Sequence, residues 1–242
     1  MSPKKLITIF FLTGIIWNSA QGQQMVNDSA EIKAIEIAHE VIAAMGGECA
    51  FNETNYIGWT FFDRRKLVWD KVNNRIRIDY LTKPMTIIAS LTGDDVKLFM
   101  NNVEVTQPDS LKKYGQKAKM VWANDSYWLL MPFKLLDEGV NLRYLGDSLI
   151  EDSNNSIIEL TFDNVGFTPE NKYLIYIDKT THLVSRWSFY DKYNDPLPEF
   201  TNTWTEYKLY GNIFISGNRG TEGMLTDINV WDYIWEDVFK KL

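Results

Sequence analysis

The hydrophobic period of this chain changes after Gly47, and that change bounds what it can fold into. Between Asp28 and Met45 apolar residues recur at helical spacing, at Ile32, Ile35, Ile37, Ala38, Val41, Ile42 and Met45. Such a stripe makes an amphipathic helix that must cover an apolar surface. Asp28-Ser29-Ala30-Glu31 can begin it, since short oxygen-bearing side chains accept the first free backbone N–H groups. Gly46-Gly47 can end it, because glycine reaches the left-handed conformation of a helix C-terminus. From Tyr56 onward the period is two. Ile57, Trp59 and Phe61 fall on one face, and Ile76, Ile78 and Tyr80 alternate with Arg75, Arg77 and Asp79. Alternation of that kind marks a strand with one face on a core and one in water. Ile76, Ile78 and Tyr80 are therefore expected on the inner face, with Arg75 and Arg77 outside.

Turn signals divide the rest. Thr92-Gly93-Asp94-Asp95 joins Met85–Leu91 to Val96–Met100 as a hairpin. Asp109 to Ala123 reads as a helix rich in lysine, closed by Asn124-Asp125-Ser126. The run from Tyr127 to Asp137 is the most apolar of the later chain, and Pro132 bars it from a central strand. Strands resume near 141–145, 156–162, 173–177, 182–190, 200–210, 212–215 and 224–235. Turns are expected at Gly146-Asp147, Asp152–Asn155, Asp178–Thr181 and Asp191–Pro196. Short spacing implies antiparallel neighbours. A twisted sheet of ten or so strands curls. The expected fold is mainly β with α: a single curved antiparallel sheet, unclosed, with an N-terminal helix and central helices on its concave face.

The first residues bear on compartment. Met1 to Lys5 is short and basic, Leu6 to Trp17 is apolar, and Asn18 to Gly22 offers small residues. That order is the pattern of a secretory signal, expected to be cleaved after Gly22, with Ala20 as the alternative. The apolar run is shorter than the roughly 20 residues that span a bilayer. The mature chain, 23–242, is then a single exported domain, in the periplasm or outside the cell. No cysteine follows the run closely enough to carry a lipid anchor. Loss of Lys4 and Lys5 takes the formal charge from −7 to −9. An acidic exported chain lacks the clustered basic residues that nucleic acid needs.

No catalytic constellation stands out. His39 lies between Glu36 and Glu40 on a helix, and His182 has no Gly-x-Ser-x-Gly nucleophile turn to serve. Cys49 has neighbours that do not activate a thiol. One cysteine and two distant histidines do not make a zinc site, and no calcium loop or phosphate loop occurs. No cofactor, metal or enzyme activity is expected.

Aromatic residues are what remain. They carry one further signal, the order Tyr127-Trp128-Leu129-Leu130-Met131-Pro132-Phe133-Lys134-Leu135-Leu136-Asp137. Asp137-Glu138-Gly139-Val140, Tyr144-Leu145-Gly146 and Tyr173-Leu174-Ile175-Tyr176-Ile177-Asp178-Lys179-Thr180-Thr181 follow it. With the Gly46-Gly47 helix end, this resembles a family of exported Gram-negative proteins of unassigned function. That family is similar in architecture to the periplasmic lipoprotein carrier LolA and the receptor LolB. The resemblance implies a half-barrel plugged by helices, whose relatives hold acyl chains inside. No family residue transfers one by one. On this reading the chain binds or carries an apolar ligand such as a lipid or a lipoprotein acyl chain. The expected lining is Trp59, Phe61, Ile76, Ile78, Tyr80, Trp187 and Phe189, with Tyr127, Trp128 and Phe133 in a lid. The bland reading of the same rings is a filled core. A second functional reading is a non-enzymatic envelope module that binds a protein or glycan through exposed aromatics.

Overall fold

The computed structural model describes the backbone of residues 15–241 and the side chains of residues 28–241. Residues 1–14, with the basic start and most of the expected signal, lie outside the described residues. Helix α1 runs Ile15–Ala44, and α2 is Gly47–Glu53. Strands β1 (Tyr56–Phe61), β2 (Arg65–Asp70), β3 (Arg75–Tyr80), β4 (Met85–Ser90), β5 (Val96–Met100) and β6 (Val103–Val105) form a meander. Helix α3, Pro108–Leu130, crosses it and ends in a 3-10 turn, Met131–Lys134. Then come β7 (Val140–Ile150), β8 (Ser153–Phe162), β9 (Lys172–Asp178), β10 (Val184–Tyr190), β11 (Phe200–Thr203), β12 (Thr205–Tyr210), β13 (Ile213–Asn218) and β14 (Leu225–Trp231).

The strands make one curved wall in three hydrogen-bonded ladders, where a single ladder was expected. One ladder orders β7 to β11 in sequence, the second pairs β12 with β13, and the third runs β14-β1-β2-β3-β4-β5-β6. Only Trp204 separates β11 from β12, and an Asn218–Met224 bridge links the ends of β13 and β14. The wall is antiparallel throughout and does not close: β7 and β6 are its two edges. Helices α1 and α3 fill its hollow. Ile37, Ala38, Val41, Ile42 and Met45 of the first stripe are buried and Ile35 is half-buried; Ala34, outside the stripe, is buried with them, as are Trp59, Ile76, Ile78, Ile87 and Leu98 of the wall. Ile32, expected in that stripe, is exposed.

Several boundaries differ from expectation, each for a physical reason. Helix α1 continues through Asp28, so Asp28-Ser29 does not cap its start; a capping side chain acts only where the chain leaves the helix. Helix α3 continues through Asn124-Asp125-Ser126. Asp125 is fully buried there, and its carboxylate accepts from Arg65 Nε at 2.5 Å and Nη2 at 2.6 Å. That bidentate pair from β2 holds a sequence that would otherwise turn. Gly146 is not a turn but a bulge in β7, with φ of +119°, and the hairpin closes instead at Glu151-Asp152, both with positive φ. The expected last strand stops at Trp231. Trp231, Tyr233 and Trp235 therefore share no strand face.

Beyond Trp231 the chain straps across the convex face of the meander. Arg75 donates to both oxygens of Glu236, at 2.7 and 2.6 Å, and Arg77 to the carbonyls of Val238 and Lys241. Phe239 packs with Ile88 and Phe99 in a second small core. Arg75 and Arg77 do point outward, but they lie half-buried under this strap.

Gly46 marks where the first helix must end. Its φ is +111°, and a Cβ added there would stand 2.3 Å from the Asn212 carbonyl oxygen. Both conformation and space demand glycine. Gly46→Ala is expected to lower stability by about 2 kcal/mol, more than the roughly 1 kcal/mol that positive φ alone costs. Urea unfolding checks it, and an unchanged midpoint would refute the fit.

Candidate functional site

Helix α3 covers β3, β4 and β5 and leaves part of the other half of the wall open. A cavity of about 600 Å³ lies there, between the end of α3, the inner faces of β8 to β11 and the loop 163–171. Tyr127 and Trp128 come from the last turn of α3, Phe162 from β8, Tyr173 from β9, Trp187 and Phe189 from β10, and Phe200 from β11. Two-residue spacing along β10 puts Trp187 and Phe189 on one side.

The rings pack against one another. Trp187 stacks on Tyr173 at 5.2 Å and meets Trp128 edge-on at 5.1 Å. Phe189 stacks on Phe200 at 5.0 Å, and Tyr127 lies 5.4 Å from Tyr173. Burial pushes the Tyr127 and Tyr173 hydroxyls well above the ordinary tyrosine range, so both are neutral. The wall is thus mainly aromatic, with Asn124, Ser126, Thr168 and Asn171 as its neutral polar members. Charge appears only at the rim, on Lys134, Asp137, Glu138 and Asp191.

The end of α3 is held from outside the cavity. A regular helix would give the Trp128 carbonyl a donor at residue 132, but that residue is Pro132, which has no N–H. Arg219 supplies it. Its Nε and Nη2 donate to the Trp128 carbonyl at 3.1 and 2.5 Å. The remaining donors go to Ser216 Oγ and to the Ser216 and Asn218 carbonyls. The guanidinium is fully buried over the Trp204 ring, 3.5 Å from its centre, with five neutral contacts and no carboxylate. Burial lowers its pKa to about 9.

Of the expected lining, Tyr127, Trp128, Trp187 and Phe189 come together at this cavity. Trp59, Phe61, Ile76, Ile78 and Phe133 are instead sealed in the main core. Tyr80 is half-buried and packs against that core. Tyr127 to Phe133 is no separate lid but a helix end and its 3-10 turn. Phe162, Tyr173 and Phe200 were missed; the alternation Leu160-Phe162 and Tyr173-Ile175-Ile177 was the available signal. His182 lies on the surface, its Nδ1 3.2 Å from Glu40 on α1, and does not line the cavity. Among the described residues no three metal-ligating side chains cluster, and no helix is long and apolar enough to cross a membrane.

No protein-family model matches the chain, and no curated protein matches it. Solved structures do. A lipoprotein-sorting protein domain described as outer-membrane, from Vibrio parahaemolyticus, aligns with 14% identity and a TM-score of 0.45, over 86% of this chain and 97% of its own. A LolA superfamily protein from Nitrosomonas europaea aligns with 16% identity and 0.46, over 86% and 97%. A DUF1329 family protein from Desulfovibrio piger aligns with 10% identity and 0.48, over 87% and 97%. The described residues themselves form an open antiparallel wall with helices in its hollow.

Proposed function

We propose that this chain, after loss of residues 1–22, is an exported single-domain carrier that binds an apolar ligand, such as a lipid or lipoprotein acyl chain, in the aromatic cavity. The observation that carries this reading is the cavity itself. Its volume of about 600 Å³ falls in the roughly 300–1,000 Å³ range of small-molecule sites. Its wall is mainly apolar and neutral, and its charges stand at the mouth. Each buried methylene contributes about 0.8 kcal/mol, so twelve supply about 10 kcal/mol before association and chain ordering offset part of it. Micromolar binding, near −8 kcal/mol, is the expected result.

Native mass spectrometry of the gently extracted protein is expected to show a co-purified lipid. Delipidated protein is expected to take up a fluorescent fatty acid with quenching of tryptophan emission. Protein that is empty as isolated and takes up no alkyl probe would end the carrier reading.

The second reading, an envelope interaction module, has its own support. Tyr233 and Trp235 on the strap are 65% and 76% exposed and meet edge-on at 5.7 Å. It requires Trp235→Ala to abolish capture of an envelope protein or glycan while fatty-acid uptake is unchanged.

A further inference from the structure

The chain is acidic as a whole, yet one region gathers three lysines around two tyrosine rings. Lys83 stands between β3 and β4, and Lys113 and Lys117 are one turn apart on α3. The Lys83 and Lys117 ammonium groups lie 4.7 and 5.7 Å from the centre of one ring, Tyr80. Those of Lys113 and Lys117 each lie 5.9 Å from the centre of Tyr114. Two tyrosine faces thus hold three ammonium groups by cation–π attraction. Among the described residues, none of the three lysines has a carboxylate partner within 4 Å. Arg65, the next cation, is already committed to Asp125. Lys117 is half-buried, and its ammonium is pushed below the ordinary lysine range, first by burial and then by Lys83, Arg65 and Lys113. Groups that repel one another so closely would all gain from a single anion.

Lys117 shares a helix face with residues of the cavity. Met120 and Asn124 line it, and they follow Lys117 by three and seven residues on the same helix face. At 1.5 Å per residue the lysine stands about 5 to 10 Å along the helix from those lining residues. Elsewhere the rim carries Lys134, already paired with Asp137 at 3.1 Å, and the acids Glu138 and Asp191, which repel an anion. We propose that Lys83, Lys113 and Lys117 bind the anionic head group, phosphate or carboxylate, of an amphiphile whose alkyl chain occupies the aromatic cavity. The proposal rests on the carrier reading and narrows its ligand to an anionic amphiphile.

Dodecyl phosphate, dodecanol and inorganic phosphate separate the parts of this claim. Binding is read by calorimetry and tryptophan fluorescence in the wild-type chain and in a Lys83→Gln, Lys113→Gln, Lys117→Gln triple variant, with Lys208→Gln as the charge control. Dodecyl phosphate is expected to bind the wild type more tightly than dodecanol does. The triple variant is expected to weaken dodecyl phosphate about tenfold to a hundredfold, at up to about 1 kcal/mol per lysine, and to leave dodecanol unchanged. The difference should shrink in 1 M salt, where screening acts within about 3 Å. Equal affinity of the triple variant and the wild type for dodecyl phosphate overturns the head-group assignment while leaving the carrier reading standing. Inorganic phosphate bound as tightly as dodecyl phosphate overturns it in favour of a free-anion site. Failure of both alkyl compounds to bind the wild type overturns the carrier reading and the head-group assignment with it.

Discussion

Replacing Arg219 with methionine is expected to lower the unfolding free energy by about 3 kcal/mol. Two effects oppose each other. Methionine removes a buried charge, and that relief alone would stabilise the fold. It also strips the donors from the carbonyls of Trp128, Ser216 and Asn218. A buried carbonyl left without a donor costs about 1–3 kcal/mol. Three of them outweigh the relief, because the guanidinium has spent all five N–H groups on its neighbours and is well solvated by them. The Trp128 carbonyl is the decisive one, since Pro132 can never serve it. Pro132→Ala restores an N–H at the position a regular helix would use. In the Arg219→Met background it is therefore expected to recover about 1 kcal/mol, although in the wild type it has no free acceptor to serve. Chemical denaturation of the four proteins closes this cycle. Strict additivity would show that Arg219 and Pro132 do not act on the same carbonyl.

The strands were legible because alternation needs only local sequence. Arg75-Ile76-Arg77-Ile78 gave the inner and outer faces directly, and Ile76 and Ile78 are buried as that pattern requires. The long reach of α3 was not legible. Asn124-Asp125-Ser126 has the composition of a break, and it stays helical because Asp125 meets Arg65, 60 residues earlier. The partner of Pro132 was equally hidden, since the proline marks a carbonyl without a donor but does not say that Arg219, 91 residues from Trp128, will fill the gap. The site was legible in part. Period two told which rings of each strand turn inward, but Trp59 and Trp187 look alike on that test. What separates them is where the hollow is filled: Trp59 on β1 lies in the main core and lines no cavity, whereas the inner face of β8 to β11, away from the part of the wall that α3 covers, stays partly free. The C-terminal strap misled for a related reason. Trp231, Tyr233 and Trp235 alternate like a strand, but the grip of Arg75 on Glu236 pulls the chain out of the ladder and over the convex face.

Trp187→Ala and Phe189→Ala are expected to divide stability from binding. Both side chains line the cavity from the same face of β10, yet they stand differently. Trp187 is 1% exposed and touches Tyr127, Trp128, Tyr173, Phe200 and Trp204. Its removal leaves those rings without a common neighbour, and large-to-small changes at such sites cost about 3–5 kcal/mol. For a domain of this size that is roughly a 10 °C drop in Tm. Phe189 is half-buried, with Tyr173 and Phe200 as its ring partners. Its loss is expected to cost about 1–2 kcal/mol, in the ordinary range for single changes. If an alkyl chain lies against it, the same change removes contact area at the mouth and weakens fatty-acid uptake about tenfold, the equivalent of about 1.4 kcal/mol. Thermal melting and fluorescent fatty-acid titration on both variants read the two effects. A Trp187→Ala protein that melts with the wild type would mean that the ring cluster is not a core. A Phe189→Ala protein with undiminished uptake would place the chain elsewhere in the hollow, and the aromatic cavity would then be a packing gap rather than a binding site.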